Sequence, residues 1–147
     1  MDRDAARAET TGMSEQKKVR VLVVDDDANF IEVITASFSA DQRLEVVGAA
    51  SNGEEAVRQA AALRPEVVAM DISMPILDGI EATRIICRAD ARCRVVLFSG
   101  SMFQERSEGR EVALDAGASG YVAKARVALD LADAVVAAAH GEAVTSA

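Results

Sequence analysis

The chain has 147 residues, enough for one sizeable core and too few for two ordinary domains. Half of the residues are hydrophobic but only 3% are aromatic, so an aliphatic core is expected. With 24 acidic and 16 basic residues the net charge is -8, and no basic stripe is visible, which argues against tight nucleic-acid binding by this domain itself.

One histidine, His140, excludes multi-histidine metal sites and argues against a Ser-His-Asp triad. Cys87 and Cys93 are too few for a disulfide scaffold and fit no zinc spacing, so free thiols are expected. Residues 1–17 carry no apolar signal core, and no apolar run approaches the roughly 20 residues of a membrane helix. A cytoplasmic protein without membrane contact is expected.

Residues 1–17 lack an apolar period and read as a disordered tail. A Val-rich strand follows at 19–24 and ends in Asp25-Asp26-Asp27. Phe30, Ile31, Val33, Ile34 and Phe38 then mark one side of a helix. A second strand is expected at 44–50. Ser51-Asn52-Gly53-Glu54 resembles a cap for an Ala-rich helix ending near Arg64-Pro65. The third strand spans 66–70 and runs into Asp71. Met74-Pro75 and Asp78-Gly79 mark a loop, and 80–88 is helical. The fourth strand, 94–98, leads into Ser99-Gly100-Ser101. A weaker helix over 104–116 is interrupted by Gly109. A short fifth strand at 120–123 ends at Lys124. The last helix, 127–139, is closed by Gly141.

Five strands alternating with five helices predict a doubly wound α/β fold with a parallel sheet covered on both faces. Ligands of such sheets bind at the carboxyl ends of the strands. Asp25, Asp26, Asp27, Asp71, Ser99 and Lys124 all fall there. Clustered carboxylates need a cation, and hard oxygen ligands suit Mg²⁺. A carboxylate beside Mg²⁺ and a lysine can act as a nucleophile toward phosphorus, giving an acyl phosphate.

Each residue alone has an ordinary reading. The three aspartates suit a helix N-terminus, Lys124 a surface, Ser99 a turn and Tyr121 plain packing. Met70 and Met74 suit core filling, and His140 suits a helix C-terminus. The order and strand context of the set override these readings. VLVVDDD at 21–27, VVAMDISMPILDG at 67–79, VVLFSGS at 95–101 and ASGYVAK at 118–124 resemble response-regulator receiver domains of the CheY-like kind, NarL/LuxR-type branch.

The resemblance implies a flavodoxin-like (βα)5 fold with strand order 2-1-3-4-5, spanning residues 18–141, with 142–147 a tail or the start of a linker. It implies that Asp71 is the phosphoacceptor. Asp26 would be a direct Mg²⁺ ligand, with Asp25 supporting it through water, and Asp71 and the backbone carbonyl of Ser73 would complete the metal site. Lys124 and Ser99 would contact the phosphoryl group, and Ser99 with Tyr121 would form the switch. Ser73 and Ser101 would tune dephosphorylation. The phosphodonor would be a sensor histidine kinase or a phosphotransfer protein, in the manner of a stoichiometric phosphoacceptor rather than an enzyme. Output would be altered partner binding or homodimerisation through helix four, strand five and helix five.

Two departures stand out. The family usually follows the lysine with a cis proline; here Ala125 follows Lys124, and a trans bond is expected. Asp27 is expected near the metal site or as a helix N-cap. A stand-alone receiver and the receiver part of a NarL-type transcription regulator are both open. The competing function is an interaction module working without phosphate. A haloacid-dehalogenase-like phosphatase with Asp25 as nucleophile would leave Asp71 unexplained.

Overall fold

The computed structural model describes residues 17–100, 107–142 and 144–146. Strand β1 is Val19–Val24, β2 Leu44–Ala50, β3 Val67–Asp71, β4 Arg94–Ser99 and β5 Gly120–Ala123. Between them run α1 (Ala28–Ser39), α2 (Gly53–Leu63), α3 (Gly79–Ala89) and α4 (Ser107–Asp115). A 3-10 turn, Lys124–Arg126, leads into α5, Val127–Ala139. The strands are all parallel in the order 2-1-3-4-5, as the resemblance implies. A sixth strand, β6 (Val144–Ser146), pairs parallel with β5, within the stretch read from sequence as a tail or linker.

The central strands are buried on both faces, so they read as unbroken aliphatic runs. Alternate residues feed two cores. Leu22, Val24, Val68, Met70, Val95 and Leu97 pack with Ala56, Ile80 and Ile86. Val21, Val23, Val67, Ala69, Val96 and Phe98 pack on the other face with Ile34, Phe38, Leu131 and Val135. Fully burying one such side chain contributes roughly 1.5–3 kcal/mol.

Local chemistry sets the helix starts. The Asp27 carboxylate accepts from the N–H groups of Asn29 and Phe30, so this residue is the N-cap of α1. Asn52 caps α2 through the Glu55 N–H, and Glu55 accepts in return from Ser51. Asp78 caps α3. Helix α2 stops where Arg64, held out of the right-handed region before Pro65, takes φ 51°.

Two expectations need adjusting. Val33 is 63% exposed, because the buried stripe of α1 keeps the stricter i, i+4 spacing of Ile34 and Phe38. The third strand begins and ends one residue later than expected, since Asp71 still pairs with Phe98. The fourth helix is seen from Ser107, and residues 104–106 lie outside the described residues, as do 1–16 of the expected tail. Cys87 and Cys93 are free thiols, and burial pushes Cys93 up to about 12, far from a reactive thiolate.

The loop from β3 to α3 is tightly fixed. A Cβ on Gly79 would collide with the Asp71 carbonyl oxygen, and one on Gly53 with that of Leu77. Ile76 takes φ 73° at the centre of a three-residue turn, in which the Leu77 N–H donates to the Pro75 carbonyl at 2.7 Å. That conformation is costly for a β-branched residue, and its side chain is 75% exposed.

Candidate functional site

Parallel register brings the chemistry to one edge. Asp25 follows β1, Asp71 ends β3, Ser99 ends β4 and Lys124 follows β5. Carboxylate oxygens of Asp25, Asp26 and Asp71 lie within 4.8 Å of one another. Asp25 and Asp71 are buried, while Asp26 is exposed. The Lys124 ammonium reaches in from the far side, 3.2 Å from Asp25 Oδ2 and 3.5 Å from Asp71 Oδ2. The Lys124–Ala125 bond is trans, as expected.

Each carboxylate has one oxygen tied to the backbone. Asp25 Oδ1 accepts from the Asp27 N–H at 2.9 Å, and Asp71 Oδ1 accepts from the Ser73 N–H at 3.3 Å. Asp25 Oδ2 is buried and has no hydrogen bond of regular geometry, only the ion pair. Burial pushes the Asp25 carboxyl up to about 6; the Asp71 charge adds to the rise, and the Asp27 N–H and Lys124 oppose it. Burial also raises Asp71, against the pull of Lys124. Burial alone would lower the Lys124 ammonium, but Asp71 and Asp25 outweigh it and raise the value.

Three carboxylates against one ammonium leave the site negative. Such a set of hard oxygens, one of them buried without a hydrogen bond, fits a small divalent cation better than it fits itself. The exposed Asp26 leaves a side open to water and to an incoming group.

Ser99 is buried, with its hydroxyl donating to the Gly100 carbonyl at 3.4 Å. In register it pairs with Ala123, the residue before Lys124. Tyr121 lies in the core facing α2 and α3, and its buried hydroxyl has no hydrogen-bond partner among the described residues. Burial pushes its phenol up, with Ser99 opposing. Ser73 is exposed in the loop after β3. Ser101 lies outside the described residues. A cavity of about 350 Å³ between α2 and α3, lined by Val57, Ala60, Ile86 and Cys93, contains none of the predicted site residues.

The sequence reading placed Phe30 only in the helix stripe. Its ring in fact faces the Lys124 ammonium, with Nζ 4.4 Å from the centroid, and stands 5.7 Å from the Phe98 ring. No sequence signal links residue 30 to residue 124; only the fold does.

Comparison with known proteins agrees with this geometry. The family model described as the response regulator receiver domain matches residues 21–136. A protein-glutamate methylesterase/protein-glutamine glutaminase of Pseudomonas aeruginosa is 46% identical over 107 residues, 72% of this chain but 28% of that enzyme. This chain therefore spans under a third of the length of that relative. The response regulator domain of Thermotoga maritima CheB superposes with a TM-score of 0.77 at 35% identity, over 84% of this chain and 98% of that one. The signal receiver domain of the response regulator NarL from Mycobacterium tuberculosis gives a TM-score of 0.80 at 30% identity, over 86% of this chain and 100% of that one. No helix among the described residues is long and apolar enough to cross a membrane. With its motifs, parallel sheet and acidic strand-end cluster in agreement, the chain belongs to the response regulator receiver domain family of two-component signalling.

Proposed function

We propose that this receiver accepts a phosphoryl group on Asp71 from a phosphohistidine of a sensor histidine kinase or phosphotransfer protein in the cytoplasm. The observation that carries the reading is the Asp25, Asp26 and Asp71 cluster with Lys124 between its two buried members. Asp25, Asp26, Asp71 and the Ser73 carbonyl would hold Mg²⁺. Bound there, Mg²⁺ offsets the charge of the incoming phosphoryl oxygens.

The rest belongs to the chain. The Asp71 carboxylate attacks phosphorus; the new P–O bond forms as the P–N bond to imidazole breaks, and the nitrogen keeps the electron pair. Lys124 then moves its pairing from Asp71 Oδ2 to a phosphoryl oxygen. The Ser99 hydroxyl turns from the Gly100 carbonyl to donate to the phosphoryl group. Tyr121, whose buried hydroxyl has no regular hydrogen bond among the described residues, follows that movement, and the change reaches the face formed by α4, β5 and α5. Partner binding or dimerisation at that face is the output, within a methylesterase-type or NarL-type protein or as a separate receiver. Ser73 and Ser101, both small and polar, shield the acyl phosphate only weakly from water.

Borohydride trapping tests the acceptor. Reduction of an aspartyl phosphate gives homoserine at the modified position, found by peptide mapping. Homoserine at 71 supports the reading, and homoserine at 25 or nowhere overturns it.

A further inference from the structure

We propose that Phe30 is a positioning residue for Lys124: its ring face holds the ammonium over the carboxylate cluster. This deepens the phosphoacceptor reading and rests on it. Lys124 Nζ is 4.4 Å from the Phe30 centroid and 5.9 Å from that of Phe98, within the range of a cation–π contact for the nearer ring. The same ammonium faces Asp25 and Asp71 on its other side. It is therefore held between a ring and two carboxylates.

The ring is itself fixed. Asp27 caps α1 and accepts from the Phe30 N–H at 3.4 Å, so the backbone of Phe30 is set by a residue adjoining the acidic cluster. Phe30 packs at a tilt of 50° on Phe98, which is wholly buried and pairs in register with Asp71. Ring, carboxylate and lysine thus share one rigid support.

A lysine needs such a hold. Its stem has four rotatable bonds, and holding the ammonium in one place restricts them at an entropic cost. Lys124 opens a short 3-10 turn and is followed by Ala125, which places no ring constraint on the backbone there. The carboxylates hold the ammonium while they are free. When they share a dication their pull on Lys124 weakens, and the ring contact is unaffected by that charge. The ring face is also broad, so the ammonium can pivot from Asp71 Oδ2 to a phosphoryl oxygen without leaving it. Without the ring, Lys124 spends more time in solvent and the competent fraction falls.

The test compares wild type, Phe30→Leu and Phe30→Tyr. The chain has three lysines, and Lys17 and Lys18 are exposed, so they serve as internal references for the Lys124 side-chain NMR signals. In wild type without Mg²⁺ the Lys124 ε-methylene protons resonate upfield of the other two, through the ring current of Phe30. Phe30→Leu loses that shift and is phosphorylated by acetyl phosphate with Mg²⁺ about five-fold more slowly. Phe30→Tyr keeps the shift and the rate, which a role in packing volume alone does not require. An adduct on wild type with no upfield shift, or equal rates in all three proteins, overturns this proposal alone. No adduct on wild type with the shift intact overturns the phosphoacceptor reading and leaves the contact standing.

Discussion

The Lys124 ammonium stands 3.2 Å from Oδ2 of the fully buried Asp25, an oxygen that no regular hydrogen bond reaches. One lysine thus carries most of the compensation for two buried acids and an exposed third. That imbalance leaves the site negative, and it has a measurable signature in pH.

Asp25 has a folded value near 6 against an ordinary 3.8, so the folded state binds its proton more tightly than the unfolded state. Without Mg²⁺ this contribution to stability is present in full below about pH 4 and is lost as pH rises through about 6. Asp25→Asn removes that slope. Urea unfolding in EDTA should show the variant more stable than wild type at pH 7.5, by on the order of 1–2 kcal/mol. A variant less stable than wild type at that pH would mean that the carboxylate is better paired than its geometry indicates.

Asp26 is the exposed member of the acidic cluster, and the proposed function makes it a ligand of the cation. Asp26→Ala should leave the stability of the metal-free protein within about 0.5 kcal/mol. Calorimetric titration should show Mg²⁺ binding weakened by about tenfold or more. An unchanged titration would remove Asp26 from the ligand set.

Among the described residues the buried Tyr121 hydroxyl makes no hydrogen bond of regular geometry, although Ser99 acts on its phenol, and a group of this kind left unpaired costs about 1–3 kcal/mol. Tyr121→Phe should therefore be as stable as the unphosphorylated wild type or more so. Its response to phosphorylation at the face of α4, β5 and α5 should be weaker, as followed by amide chemical shifts on β5 and α5. A destabilised unphosphorylated variant would show that the hydroxyl is paired in solution.

Ile76 holds a φ of 73° with its side chain in solvent. Ile76→Gly relieves roughly 1–2 kcal/mol of strain and gives back part of it as unfolded-chain entropy, for a net gain of about 0.5–1 kcal/mol. Chemical denaturation reads this directly. A net loss would mean that the isoleucine packs against the loop.

Much of this was legible in the sequence because the sheet is buried on both faces. Val19–Val24, Val67–Asp71 and Arg94–Ser99 stand out as aliphatic runs, and the Ser51-Asn52-Gly53-Glu54 cap marks the start of α2. The strand-end aspartates and Lys124 were legible because parallel topology fixes where strand ends meet. Phe30 was not, since its partner lies in another element and an apolar residue on α1 needs no explanation beyond packing. The sixth strand was not either, because Val144–Ser146 is three residues long and carries no apolar alternation to distinguish it from a tail. The positive φ of Ile76 belongs to the tight turn closed by the Leu77 N–H on the Pro75 carbonyl, and an isoleucine side chain gives no sign of it.

The central claim is that Asp71 is the acceptor, and intact mass tests it most directly. Wild type and Asp71→Asn are incubated with acetyl phosphate and Mg²⁺. Wild type should take up one phosphoryl group, labile to hydroxylamine, and Asp71→Asn none. A stable adduct on Asp71→Asn, or no adduct on wild type together with no Mg²⁺ binding, would contradict that claim and make this receiver an interaction module that works without phosphate.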